Sequence, residues 1–181
     1  MEDDKLLYRQ FLEGDISAFE ELVIRYKDGL IYFIHRYVGD IESCEDIAQE
    51  VFAYLFVYKE RYGFRSGLKT YLYAIAKNKA ADHIRKIRRN TPIEEYQETT
   101  EDEELFQRVV KKEEQRLVQN CLKRLKPDYQ AAIQLVDFEG MSYQDSAKAL
   151  HKTLPQFRIL VYRARKALGV LLQKEGYTNE E

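Results

Sequence analysis

Between residues 156 and 166, Gln156, Arg158, Ile159, Tyr162, Arg163 and Lys166 recur on one face of a helix, away from an apolar stripe of Phe157, Leu160, Val161, Ala164, Leu168 and Leu171. These side chains suit reading a nucleic acid rather than turning over a substrate. Arginine grips guanine O6 and N7 with two bonds, glutamine reads adenine, and lysine serves phosphate. A second group lies upstream, where Arg61, Tyr62, Phe64, Arg65 and Lys69 sit around Gly63 and Gly67, followed by Asn78, Asp82, Arg85 and Arg89 on one helix face. Cations beside aromatics suit a strand whose bases are taken from the stack and held. For Tyr62 and Phe64 core packing is the alternative, since bulky residues at loop ends commonly plug a core. Asp82 fits pure phosphate tracking poorly; it can pair with Arg85 or Lys86, or accept from a cytosine amine. A third group is acidic. Asp46, Gln49 and Glu50, with Glu42 nearby, face solvent on one helix and suit a basic partner protein, while Glu42, Glu45, Asp46 and Glu50 read alternatively as a magnesium site for nucleotide hydrolysis.

Charge is sorted in blocks along the chain. Residues 59 to 90 hold ten Lys/Arg against Glu60 and Asp82, and residues 146 to 174 hold seven and no acid. Between them residues 91 to 104 carry seven acids and no base, and residues 1 to 58 carry thirteen acids and five bases. Two basic segments held apart by an acidic spacer suit one polyanion met at two places, and the acidic front end suits a basic partner.

The elements that must position these groups are helices, because apolar residues recur at helical spacing and strand-type alternation is absent. Asp15 caps a helix to about Val38 that buries Phe19, Leu22, Val23, Tyr26, Leu30, Phe33 and Ile34. Gly39 and Asp40 break and restart the chain; the next helix, about 41 to 60, buries Cys44, Ile47, Ala48, Val51, Leu55 and Tyr58. A helix over 68 to 89 buries Leu68, Leu72, Ile75, Ala76, Ile84 and Ile87. After a spacer poor in apolar residues, a second module begins near Glu103 with Leu105, Phe106, Val109, Val110, Leu117, Val118, Cys121 and Leu122. Pro127 opens a helix to about Phe138, Ser142 to Asp145 has capping-box spacing before a short helix 143 to 150, and Thr153 caps the last helix. Two helices joined by a turn of about three residues, the second bearing bases opposite its stripe, describe a helix-turn-helix.

The composition excludes several classes. No apolar run approaches a bilayer span, so direct membrane insertion is not expected, and the acidic start Met1 to Asp4 is unlike a secretion signal. Cys44 and Cys121 read as lone core cysteines of a reducing compartment, and the three histidines show no metal-ligand spacing. A cytoplasmic monomer with no cofactor, no metal and no catalytic residues follows as the expectation.

The segments Leu125-Lys-Pro-Asp-Tyr-Gln-Ala-Ala-Ile-Gln-Leu135, Glu139-Gly-Met-Ser-Tyr-Gln-Asp-Ser-Ala147 and Tyr162-Arg-Ala-Arg-Lys-Ala-Leu168 resemble the promoter -35-binding region 4 of bacterial sigma factors. Ser43-Cys-Glu-Asp-Ile-Ala-Gln-Glu-Val-Phe52 resembles their core-binding helix in region 2, and Thr70-Tyr-Leu-Tyr-Ala-Ile-Ala-Lys-Asn78 with Asp82-His-Ile-Arg85 is similar to the -10-binding helix. Order, spacing and size are those of the extracytoplasmic-function (ECF) group, over about residues 15 to 172. The resemblance implies an all-α protein of two small domains: region 2 at 1–90, an acidic linker at 91–104, region 4 at 105–175 and a flexible tail at 176–181. It implies core RNA polymerase bound through Asp46, Gln49 and Glu50. Promoter -10 DNA would be held by Arg61, Tyr62, Phe64, Arg65, Lys69, Asn78, Asp82 and Arg85, and -35 DNA by Gln156, Arg158, Ile159, Tyr162, Arg163 and Lys166. An anti-sigma factor, often membrane-anchored in that family, would mask both domains. The chain departs from the family pattern at Tyr71, where Trp is usual, at Cys44, where Ala is usual, and at Ser146, where Ile is usual and a buried Ser needs a backbone partner. The turn His151 to Phe157 also differs. Outside this family, the same residues read as a helix-turn-helix repressor with an N-terminal dimerisation or sensor domain. The acidic spacer is expected to thread through the polymerase.

Overall fold

A computed structural model of the chain describes residues 2–90 and 113–176. Among these residues there is no strand. The described residues form eight α-helices: α1 (Glu2–Leu12), α2 (Ile16–Val38), α3 (Ile41–Val57), α4 (Leu68–Asn90), α5 (Glu113–Lys123), α6 (Pro127–Ile133), α7 (Tyr143–Ala149) and α8 (Leu154–Lys174). The acidic spacer and the start of the second module, including Leu105, Phe106, Val109 and Val110, lie outside the described residues.

The helix starts follow from local chemistry. Asp15 accepts from the Ser17 and Ala18 amides at 2.9 and 3.3 Å, and Asp40 accepts from the Ser43 amide at 3.0 Å, satisfying donors that a first turn leaves orphaned. The Ser43 contacts outweigh the effect of burial and hold the Asp40 carboxyl below its usual range. Gly39 ends α2 at φ 86°, where a β-carbon would be strained.

Helix α1 lies in what the sequence reading treated only as an acidic front end. Its Leu7, Tyr8 and Phe11 are buried against α2 and the segment after α3. Its acids are spent within the fold: Asp4 accepts from Arg25 Nη1 at 2.6 Å and from the Tyr26 hydroxyl at 2.7 Å, and Asp3 pairs with Arg25 at 2.9 Å. Asp3 and Asp4 are thus engaged within the fold, while Glu42, Asp46 and Glu50 of α3 are exposed.

Two expectations are corrected in detail. Tyr58 was expected on the buried stripe of α3, but that helix ends at Val57 and Tyr58 turns outward at φ −109°, ψ 37° to 43% exposure. The helix from Pro127 reaches Phe138 only through a π-helical turn, Gln134–Phe138, whose wider turn keeps Gln134 and Leu135 buried and leaves Phe138 outside.

The core joins both modules. Leu30, Phe33, Leu72 and Ala76 of the first belong to one buried cluster with Ala131, Ala132, Leu135, Ala149 and Leu150 of the second, while Leu122, Leu125, Ile133 and Ala164 form a smaller one. Cys44 and Cys121 are both buried, as small core residues.

Candidate nucleic-acid interface

Helix α8 is launched by a reciprocal cap. Thr153 Oγ1 accepts from the Gln156 amide at 3.4 Å, and Gln156 Oε1 accepts from the Thr153 amide at 3.0 Å. Pro155 fits the first turn, where a missing N–H costs nothing. Phe157, Val161 and Ala164 are buried, which fixes the rotation of the helix. Arg158, Ile159, Tyr162, Arg163 and Lys166 consequently face solvent, with Tyr162 at 67% exposure. Gln156 is exposed too; its carbonyl oxygen accepts in the cap, and its amide nitrogen is left to donate to a base.

Helix α7 precedes it at helix-turn-helix spacing. Ser142 caps α7 by accepting from the Asp145 amide at 3.0 Å, and its hydroxyl donates to the Asp145 carboxylate at 2.7 Å. His151 makes the turn at φ 54°, in the left-handed region that histidine enters more readily than bulky apolar residues do. Ser146 is fully buried and its hydroxyl has no hydrogen-bond partner, so the backbone bond expected of it is not made. Between the two helices a cleft of about 490 Å³ is lined by Tyr143, Arg158, Val161, Tyr162, Arg165 and Lys166. Arg165, which the sequence reading left out, reaches across to Asp137 on the π turn.

The first module presents a second cationic face. Asn78, Asp82, Arg85, Lys86 and Arg89 are exposed on α4, and a groove of about 430 Å³ runs along Asp82, Arg85, Lys86 and Arg89. Asp82 pairs with Arg85, one of the two uses its chemistry suggested. Lys69, at the start of the same helix, does not face solvent freely: its ammonium lies 2.6 Å from Glu139 of the second module.

The loop between α3 and α4 separates its aromatics by role. Tyr62, expected among the DNA-holding residues, is 3% exposed and belongs to the core, its hydroxyl donating to the Ser66 carbonyl at 2.6 Å. Its ring packs edge-on against Tyr8 at 4.8 Å, because α1 covers the loop from inside. Phe64 is half-buried against the same ring at 4.8 Å and holds φ 55°, a strained setting for a bulky residue. Arg61 and Arg65 are exposed. Arg61 stacks over Tyr58 at 4.3 Å and donates to the Tyr54 hydroxyl at 3.0 Å. Tyr54 was missed and Tyr58 was read as core; aromatics at i and i+4 followed by an arginine three residues on are the signal that marks this stack.

On α3, Asp46, Gln49 and Glu50 are exposed in a row, with Glu50 also reaching Lys79 of α4 at 2.8 Å. No group of three or more His, Cys, Asp or Glu able to hold a metal ion occurs among the described residues, so Glu42, Glu45, Asp46 and Glu50 do not converge on one point. No helix among the described residues is long and apolar enough to cross a membrane.

An acidic helix face, a cationic helix and a helix-turn-helix in this order match two known family models. Residues 22–90 match Sigma-70 region 2, and residues 115–168 match Sigma-70 region 4. The chain is 31% identical to the RNA polymerase sigma-H factor of Pseudomonas aeruginosa over 95% of each chain. It is 28% identical to the ECF RNA polymerase sigma-E factor of Haemophilus influenzae, over 94% of this chain and 95% of that one. Among solved structures it resembles CnrH in complex with the cytosolic domain of CnrY, with a TM-score of 0.69, 22% identity and coverage of 95% of this chain and 98% of that one. It also resembles the sigma factor RpoE bound to the anti-sigma factor NepR from Bartonella quintana, with a TM-score of 0.64, 21% identity and coverage of 86% and 96%. The chain belongs to the sigma-70 family of RNA polymerase sigma factors, in its extracytoplasmic-function group.

Proposed function

We propose that this protein directs core RNA polymerase to a set of promoters and starts transcription there, reading the -35 element with α8 and opening and holding the -10 element with residues 61–89. The observation that carries this reading is the pair of cationic faces, α8 and α4, held on one chain with an exposed acidic row on α3. The acids Asp46 and Glu50, with the polar Gln49 between them, suit a basic surface on the polymerase, whose opposite charge speeds and orients docking. Arg158 and Arg163 are the direct readers, with Tyr162 and Ile159 as apolar contacts to the groove and Lys166 on phosphate. Arg61, Phe64, Arg65, Lys69, Asn78, Asp82 and Arg85 serve the -10 element, and Tyr62 supports the loop from the core.

The protein acts as a cytoplasmic monomer that lends recognition to the polymerase and carries no reaction of its own. An anti-sigma factor holds it inactive until a signal releases it, and that factor is membrane-anchored. The acidic linker passes through the polymerase, imitating nucleic acid in a basic channel.

Transcription in vitro with purified core polymerase and a genomic promoter library tests the reading. Stimulation of a discrete set of promoters is expected. No stimulation, together with no co-purification with the core enzyme, overturns it.

A further inference from the structure

Helix α3 ends in a stack of side chains, Tyr54, Tyr58 and Arg61, that overlaps the promoter-holding segment 61–89 only at Arg61. The two tyrosines are one turn apart, and their rings come to 4.9 Å at 48°. The Tyr58 amide donates to the Tyr54 carbonyl at 2.9 Å, and a single 3₁₀ turn over Lys59–Arg61 then carries the chain back, with the Arg61 amide donating to the Tyr58 carbonyl at 2.9 Å. The guanidinium carbon of Arg61 consequently lies 4.3 Å from the centre of the Tyr58 ring, and the same group donates to the Tyr54 hydroxyl at 3.0 Å. Across on α4, burial and then Tyr54 push the Tyr71 hydroxyl above its ordinary value, which sets Tyr71 beside the stack. The Tyr71 ring is backed by buried Tyr62 at 5.1 Å.

Core packing does not account for this stack. Phe56, exposed on the same helix, closes over Phe11 and Phe19 at 5.6 and 5.2 Å and so caps the core, whereas Tyr58 turns outward at 43% exposure and meets an exposed arginine. A guanidinium laid on a ring orders two side chains before any ligand arrives, which removes part of the cost of ordering them on binding. Charge selects the ligand. Residues 59–65 carry Lys59, Arg61 and Arg65 against Glu60, and α4, which supplies Tyr71, also carries the groove of Arg85, Lys86 and Arg89. A polyanion with flat uncharged faces fits both features, and unpaired DNA offers those faces where a duplex hides them. We propose that Tyr54, Tyr58 and Arg61 form a platform on which an unpaired base of single-stranded DNA stacks, in addition to any base held by the loop around Phe64. Because every base has a π face, the platform adds affinity for the opened strand rather than preference for its sequence. Its role at a promoter rests on the promoter-binding reading above; its affinity for unpaired bases does not.

The chain has no tryptophan, so Tyr58→Trp places a single indole emitter in the platform while keeping an aromatic face there. Titrating this full-length variant at low salt with a single-stranded oligodeoxynucleotide is expected to quench the indole to saturation. The same sequence as a blunt duplex, or a strand of abasic sugar-phosphate, leaves the emission unchanged. Measured by anisotropy without the reporter, Tyr58→Ala weakens single-strand binding about tenfold, the scale of one stacked base, and Tyr58→Phe, which keeps the ring, restores it. Arg61→Lys keeps the charge but not the plane, and falls with Tyr58→Ala. Helical circular dichroism confirms that each variant is folded. No quenching by the single strand, equal quenching by the duplex or the abasic strand, or parental affinity in Tyr58→Ala each overturns the proposal. Quenching by core polymerase with none by the oligonucleotide makes the stack a protein contact and overturns it as well. Promoter-specific transcription by a Tyr58→Trp chain that no single strand quenches removes the platform alone, while quenching without any transcription removes the promoter reading alone.

Discussion

Asp137 and Arg165 are joined across 28 residues by two hydrogen bonds, Nη2 to Oδ1 at 2.5 Å and Nε to Oδ2 at 3.3 Å. The hydrogen bonds raise the guanidinium above its ordinary value, so Arg165 stays charged and committed to the π turn rather than to a base. It positions α8 against the element before it. Both side chains are largely exposed, so stability contributes little to the argument. Arg165→Ala is expected to weaken discrimination among -35 duplexes by about three- to fivefold, the scale of ~1 kcal/mol, with core polymerase binding intact. The exchange Asp137→Arg with Arg165→Asp restores most of it. Equal losses on every duplex, with no recovery in the exchange, would assign Arg165 to phosphate instead.

Arg158 and Arg163 stand apart from that pair, both exposed on α8. Replacing either with alanine is expected to cost about 1–3 kcal/mol against the preferred -35 sequence and to relax preference at one position. Lys166→Ala lowers affinity about equally across sequences and reduces the salt slope by about one. Fluorescence anisotropy against a panel of -35 duplexes at several salt concentrations separates the two behaviours. Loss of polymerase binding by the arginine variants would mean that α8 serves another surface.

Helical periodicity and caps made most of this architecture legible in the sequence. Asp15, Asp40, Ser142 and Thr153 cap the helices whose starts they mark, because an orphaned amide needs a nearby oxygen and few residue types supply one. The exposed face of α8 was legible for the same reason: Phe157, Val161 and Ala164 fix which side turns inward. What local pattern does not contain is who meets whom at long range. Tyr62 looks like a loop aromatic until α1 is placed beneath it, and Lys69 looks like a free cation until Glu139 arrives from 70 residues away. Helix α1 itself was hidden by its charge, since Asp3 and Asp4 read as surface acids until Arg25 and Tyr26 are seen to use them.

Burial gives several tyrosines a pH signature. Tyr26, Tyr37 and Tyr73 are pushed above the ordinary tyrosine range by burial, and then by Asp4, Asp128 and Glu139 respectively; Tyr62 is pushed up to about 12 by burial and then by Asp4. A raised folded value means that the native state favours the protonated ring. Its stability contribution is complete below about pH 10, the unfolded value, and is lost as pH rises toward the folded values. Alkaline titration should therefore show the exposed tyrosines ionising first, and the buried ones only together with loss of helical circular dichroism. Ionisation of all 14 tyrosines as one ordinary group, with the helices intact, would contradict this burial pattern.

Two glycines separate intrinsic propensity from packing. Each lies inside a helix, where glycine costs about 1 kcal/mol relative to alanine. At Gly169 on α8 an added β-carbon meets nothing within 4 Å, so Gly169→Ala should raise the melting temperature by the propensity gain alone, about 0.5–1 kcal/mol of stability. At Gly29 on α2 the same carbon would stand 2.6 Å from the Tyr73 hydroxyl and 3.0 Å from Glu139 Oε1. Tyr73 is fully buried and has little room to retreat, so the overlap outweighs the gain in propensity. Gly29→Ala should melt below the parent protein while Gly169→Ala melts above it. Thermal unfolding of the two variants side by side checks the contrast, and a stabilised Gly29→Ala would show that Tyr73 and Glu139 do not close on α2 in solution.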